Sequence, residues 1–165
     1  MESRGARCTA VYKVMTSPSR EVCVAPDRFE VVTDDVVLSA ELESAIAICV
    51  YDAVDEGGAL LHLRFIVRGS HPPDVTDTTL ATELLLLDRC VESLREAAPA
   101  ARNLQAKIAA HLPEDSTAVD ACDRVLTLVA HFLRDAGATV SQPDIAIGAP
   151  RKLQFRPSMG WLQIR

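Results

Sequence analysis

The sequence predicts an α/β fold of the α+β kind, with helices layered on a mixed β-sheet. Three observations predict it. The order of patterns along the chain is strands, helix, strand, helix, strands. Two stretches carry apolar stripes at helical spacing, and such stripes need a sheet to bury against. At 165 residues, 48% hydrophobic and 24% charged, the chain has the size and composition of one domain around one core.

The elements follow in order. Residues 1–20 end in a Ser- and Pro-containing run and are expected as a loosely attached lead, with a single domain over residues 21–165. Phe29 to Leu38 places two β-branched runs around Asp34 and Asp35, which predicts a short hairpin. Leu42 to Val50 is nearly continuous in apolar or small residues, which predicts a central strand covered on both faces. A turn at Asp55, Glu56, Gly57 and Gly58 leads into Ala59 to Val67, which alternates. Leu61, Leu63, Phe65 and Val67 fall on one face of that strand, His62 and Arg64 on the other. Asp77 caps a helix running to about Glu96, with Leu80, Leu84, Leu87, Val91 and Leu94 as its buried stripe. Pro99 ends it, and Leu104 to Ala109 reads as a short buried strand. A second helix runs from Ser116 to Gly137 on Val119, Cys122, Val125, Leu126, Val129 and Leu133. Arg151 to Ile164 gives two short strands around a loop from Pro157 to Gly160.

Composition excludes several classes of function. A net charge of -6 and no cluster of Lys and Arg argue against a sequence-independent hold on nucleic acid. No run reaches the ~18 apolar residues of a membrane span, and the first residues lack the apolar core of a secretory signal. A cytoplasmic protein without membrane insertion is expected. Five cysteines at wide spacings, with no C-x-x-C pair, read as reduced and mostly buried thiols. His71, His111 and His131 show no metal-ligand spacing with one another or with His62 and read as surface or core histidines. Neither metal nor cofactor is expected.

Chemistry is expected in Leu38 to Ile66, which reads LSAELESAIAICVYDAVDEGGALLHLRFI. This stretch resembles the motif region of the chemoreceptor glutamine deamidases, the CheD family, whose pattern runs T-x-x-L-G-S-C-V-x-V-C-x-x-D and then G-G-x-x-H-x-M-L-P. Ser39 falls at the threonine; Leu42, Ser44, Cys49 and Asp52 match; His62 falls at the catalytic histidine. Ala45 falls on the catalytic cysteine. Glu43 replaces a glycine, and Arg64, Phe65 and Ile66 replace Met, Leu and Pro. The resemblance continues through Ala106-Lys107-Ile108, Arg124, Leu133, Gly137, Arg151, Phe155 and Gly160. Two of the family's glycine loops are filled, by Ala110-His111-Leu112 and by Ala146-Ile147-Gly148. Membership would imply a three-layer α/β/α sandwich.

Hydrolysis of a glutamine amide needs a nucleophile, a base and donors for the oxyanion. The methyl group of Ala45 supplies no nucleophile. Cys49 lies four strand positions on, about 13 Å at ~3.3 Å per residue, and is not expected to take the same place against His62. Ser44 is adjacent but would point to the opposite face of a regular strand, and Ser39 reads as the structural hydroxyl of the family's threonine. His62 reads either as a relic base or as a space-filling, hydrogen-bonded ring. Glu43 and Arg64 read as solvent-facing charges or as groups that modify the former pocket. With Phe65 they are the expected fillers of a closed cleft. The resemblance thus implies a degenerate, noncatalytic protein of a chemotaxis-type system. Its expected partners are chemoreceptor cytoplasmic helices or a CheC-type phosphatase. The alternative is a protein-glutamine deamidase with a substitute nucleophile, or an inactivated variant of one.

Overall fold

A computed structural model describes residues 17–18, 20–65, 78–114 and 117–165. Most of the expected lead lies outside them, as do His71 and the helix starts expected at Asp77 and Ser116. In chain order the elements are β1 (Arg20–Cys23), β2 (Arg28–Val32), β3 (Val36–Leu42), β4 (Ala45–Tyr51), β5 (Gly58–Arg64), α1 (Thr78–Ala97) and β6 (Gln105–Leu112). There follow α2 (Thr117–Asp135), β7 (Thr139–Val140), β8 (Asp144–Ile147), β9 (Arg151–Arg156), a 3-10 turn (Pro157–Met159) and β10 (Trp161–Ile164).

The strands form two sheets. In the larger, β2, β5, β4 and β6 lie side by side and antiparallel, and β7 and β8 pair parallel with the two ends of β6. In the smaller the order is β1, β3, β9, β10, with only β1 and β3 parallel. Side chains alternate across a strand, so each central strand feeds two cores. Ile46, Ile48, Val50, Leu61, Leu63 and Ile108 face both helices, which bury Leu87, Val91 and Leu94 of α1 and Cys122, Val125, Val129 and Leu133 of α2. Ala45, Ala47, Cys49 and Leu60 face the smaller sheet, against Leu38, Ala40, Leu42, Leu153 and Phe155. All seven residues of β4 are therefore buried.

The α+β class and the three layers are as the sequence predicts. Their order is helices, sheet, sheet: in place of the second helical layer of an α/β/α sandwich stands the four-stranded sheet. Alternate apolar residues of β3 and β9 turn that sheet's inner face toward β4, so this face of the central sheet is already covered.

Two expected connections differ. Phe29 to Leu38 does not close a hairpin, because β2 joins β5 in the larger sheet and β3 joins β1 and β9 in the smaller. The crossing is pinned at Asp35, whose carboxylate accepts from Arg156 Nε at 2.7 Å, Arg156 Nη2 at 2.6 Å and the Ser158 hydroxyl at 2.7 Å. Leu42 to Val50 is also not one strand. The chain leaves the smaller sheet at Leu42, turns at Glu43 and Ser44, and enters the larger at Ala45, with Ser44 at φ +47°. Apolar residues on both sides of the turn hide it from a reading of hydrophobicity. Both helices, the alternation of β5 and the terminal pair β9 and β10 follow the prediction. Among the described residues no helix is long and apolar enough to cross a membrane.

Candidate functional site

Ala45 opens β4 at the point where the chain enters the larger sheet. Its cross-strand partners are Arg64 on β5 and His111 on β6. His62 stands opposite Ala47, so Ala45 is its diagonal neighbour at about 7–8 Å, a spacing that a ring and a thiol would bridge. Ala45 is 1% exposed, and His62 and His111 are each 2% exposed. The corner is closed to solvent.

His62 is held in one tautomer. Its Nδ1 lies 2.9 Å from the Val24 carbonyl oxygen, which can only accept, so Nδ1 carries a proton and the neutral ring has its lone pair on Nε2. The Val24 N–H in turn donates to the Ser39 carbonyl at 2.7 Å, and Asp27 N–H donates to the His62 carbonyl at 2.7 Å. The ring thereby ties residues 24–27, which cross between the sheets, to β5.

Cys49 stands differently from its expected place. Because His62 faces Ala47, Cys49 is its other diagonal neighbour, on the same face of β4 as Ala45. Strand distance from Ala45 therefore does not separate Cys49 from the histidine. Chemistry does: Cys49 is 0% exposed, and burial pushes its thiol far above the usual range, so it carries no thiolate to attack with.

The other candidates are dispersed. Ser39 is buried in β3, but Leu38 and Ala40 are the residues of β3 that face β4, so Ser39 points out of the opposite side of the smaller sheet. There its hydroxyl bonds Glu21 and helps to hold that carboxyl below its usual range. Glu43 is exposed in the turn. Arg64 is exposed as well, and its Nε donates to Asp27 Oδ2 at 2.6 Å. The cleft is thus not filled by Glu43 and Arg64. Ser44 sits in the turn, not in a strand; its carbonyl accepts the Phe65 N–H at 2.7 Å, and its own N–H donates to His111 Nδ1 at 3.1 Å.

His111 is the residue that the sequence reading missed. It is a core histidine, as expected, but it is the one that lies against Ala45. Its Nε2 lies 2.9 Å from the Gly148 carbonyl oxygen, so the ring joins the start of β4 to the end of β8. The signal was present, since His111 and Gly148 stand in the two filled glycine loops. Among the described residues no group of three or more His, Cys, Asp or Glu is placed to hold a metal.

What the corner holds chemically is the His62 imidazole, a Ser44 N–H already taken by His111, and a methyl group where a nucleophile would stand. No protein-family model matches the chain. It is 31% identical over 170 residues to a probable chemoreceptor glutamine deamidase CheD of Ralstonia pickettii, spanning 99% of this chain and 70% of that protein. It is 30% identical, with the same coverage, to its namesake in Ralstonia nicotianae. A probable chemoreceptor glutamine deamidase CheD 1 of Burkholderia thailandensis is 22% identical over 148 residues, 88% of this chain and 63% of that protein.

Proposed function

Since the chain belongs to the CheD family of chemoreceptor glutamine deamidases, we propose that it is a noncatalytic member, serving a chemotaxis-type signalling system by binding a protein partner. The observation that carries this reading is Ala45: the position diagonal to the lone pair of His62 has no atom that can attack a carbonyl. Removing the nucleophile from such a pair lowers turnover by several orders of magnitude. Burial of the corner supports the same reading, because Ala45 and His62 are each 2% exposed or less and stand away from a solvent-borne substrate. The partners that suit a scaffold of this family are the cytoplasmic helices of chemoreceptors or a CheC-type phosphatase.

The test is mass spectrometry of receptor cytoplasmic fragments incubated with the wild-type protein and with an Ala45→Cys, Glu43→Gly revertant, looking for conversion of glutamine to glutamate. The wild type should be silent while still binding the fragments or the phosphatase. Wild-type turnover that His62→Ala abolishes would overturn the proposal. Cys49→Ser is then the next variant, since the register leaves Cys49 beside the same ring.

A further inference from the structure

The larger sheet ends at β8 with an open edge. Among the described residues no strand pairs with the outer side of β8. The Gly148 N–H donates to the Leu112 carbonyl, so the backbone of Gly148 faces β6. Backbone groups alternate sides along a strand, so Ala146 faces β6 as well, and the N–H and C=O of Ile145 and Ile147 point outward. Such a row of open groups is a template for another strand, and edges of this kind are commonly guarded by charge. Here Ile145 and Ile147 are 37% and 55% exposed. Asp144, the one charged residue of β8, is turned to the opposite face and paired with Arg151.

α2 crosses back between the parallel strands β6 and β7, and so runs antiparallel to β8. A groove of about 410 Å³ lies between the helix and this edge, with Leu126, Ala130 and Ile145 in its lining. Asp123 and Arg134 line it from either end of one stripe of α2, both exposed, and among the described residues neither side chain is paired. Eleven helical residues rise about 16.5 Å, the length of about five strand residues. Side chains on one face of a strand recur at every second residue, so charges that match both ends stand four or six positions apart. The groove is on the helical face of the larger sheet, whereas Ala45 faces the smaller sheet. We propose that this edge and groove dock an extended segment of a protein partner, added antiparallel to β8, with two apolar residues flanked by a basic residue before them and an acidic one after. Antiparallel addition sets the start of the segment beside Asp123 and its end beside Arg134. The outward groups of Ile145 and Ile147 bond its backbone, and the apolar residues opposite them share their face and enter the groove. The inference deepens the proposed function and rests on its reading of the chain as a partner-binding protein.

The test is an NMR titration of the full chain with two blocked peptides of one composition, KTVTVTE and ETVTVTK. The first should bind in the sub-millimolar range and shift the amides of Ile145 and Ile147. The second should bind about fivefold more weakly, since two attractive pairs become two repulsive ones. Both charged side chains are exposed, so an Asp123→Arg, Arg134→Asp variant should fold and should reverse the preference. Methylating the two valine nitrogens of KTVTVTE removes the donors opposite β8 and should abolish binding. Equal affinity for the two peptides, an unreversed preference in the variant, binding that survives methylation, or no binding would each overturn the proposal. A dimer that Ile147→Lys dissolves, with neither peptide bound, would assign the edge to a second copy and overturn it too. Peptide binding is read without turnover, so its failure leaves the noncatalytic reading standing, and wild-type glutamine conversion would sink that reading alone.

Discussion

Asp52 offers the sharpest test of how the motif region is held together. It follows β4, is 2% exposed and uses both carboxylate oxygens. Oδ1 accepts the N–H groups of Val54 at 2.9 Å and Asp55 at 3.3 Å, within its own turn. Oδ2 accepts those of Arg102 and Asn103, both at 3.0 Å, in the loop that leads into β6. One side chain thus fixes two loops some fifty residues apart. Hydrogen bonds to a charged group contribute about 1.5–3 kcal/mol each, and water can take over part of that for donors in exposed loops. Asp52→Ala should therefore cost about 3 kcal/mol in a urea or guanidinium titration. Asp52→Asn should cost at least as much, about 3 kcal/mol, because its Nδ2 would face two donors and leave both unpaired. A near-isosteric change as harmful as truncation is the discriminating outcome. Asp52→Asn within about 1 kcal/mol of wild type would refute the four-donor account.

The same carboxylate sets a pH window. Burial pushes its pKa up, but the N–H groups of Asn103, Val54, Asp55 and Arg102 pull it down, and the net is below the usual aspartate value. The folded-state pKa then lies under the unfolded value of about 3.9. The contribution is fully present above that value and is lost as pH falls through the folded pKa. The stability gap between wild type and Asp52→Ala should stay constant from about pH 7 to pH 5 and narrow below about pH 4. A gap that narrowed on the alkaline side would point to another group.

Three further outcomes are expected. Gly160→Ala should lose about 2 kcal/mol or more in denaturant titration, because its Cβ would come within 2.6 Å of the Tyr51 ring at a backbone φ of +59°. Iodoacetamide at neutral pH should label Cys23, which is exposed, and spare Cys49, Cys90 and Cys122, whose thiols burial pushes up, to about 12 for the last two. Peptide mapping reads this, and labelling of Cys49 in the native protein would show that the corner beside His62 opens. Arg64→Ala should cost under about 1 kcal/mol, since its ion pair with Asp27 lies in solvent, and a larger loss would mean that Arg64 closes the corner after all.

Local pattern made most elements legible and left their partners hidden. The stripes of α1 and α2 and the alternation of β5 depend on residues a few positions apart; both helices end within two residues of the expected place, whereas β5 ends at Arg64, three residues before the expected Val67. Sheet membership is decided far along the chain. The turn at Asp35 looks like a hairpin until Arg156 and Ser158 are brought against it, and the apolar run through Ser44 looks like one strand until the chain changes sheet inside it. β7 and β8 are edge strands of two and four residues, too short to show a period. At the candidate site, Ala45 and His62 were found by their match in spacing to the motif of the family that the chain resembles. His111 was not: the filled glycine loop marked its position, but its place beside Ala45 depends on the pairing of β6 with β4, which no residue near it in sequence reveals.

The departures from the family pattern are scattered in sequence and gathered in space. Glu43 adjoins Ala45; Ala45 pairs with Arg64 and with His111; His111 pairs with Ala146. Phe65 bonds the turn at Ser44, and Gly148 bonds His111. Positions that keep the pattern are needed elsewhere to hold the layers. Asp52 serves four donors, Gly58 leaves room for Pro157, Gly160 leaves room for Tyr51, and Phe155 is fully buried with its ring centre 5.6 Å from that of Tyr51. His62 is the exception that fits the rule, because its ring carries the tie to Val24 whether or not a nucleophile stands beside it. Within the motif region, the departures thus gather at the Ala45 end of β4, and the matches that hold the layers together lie toward its Tyr51 end.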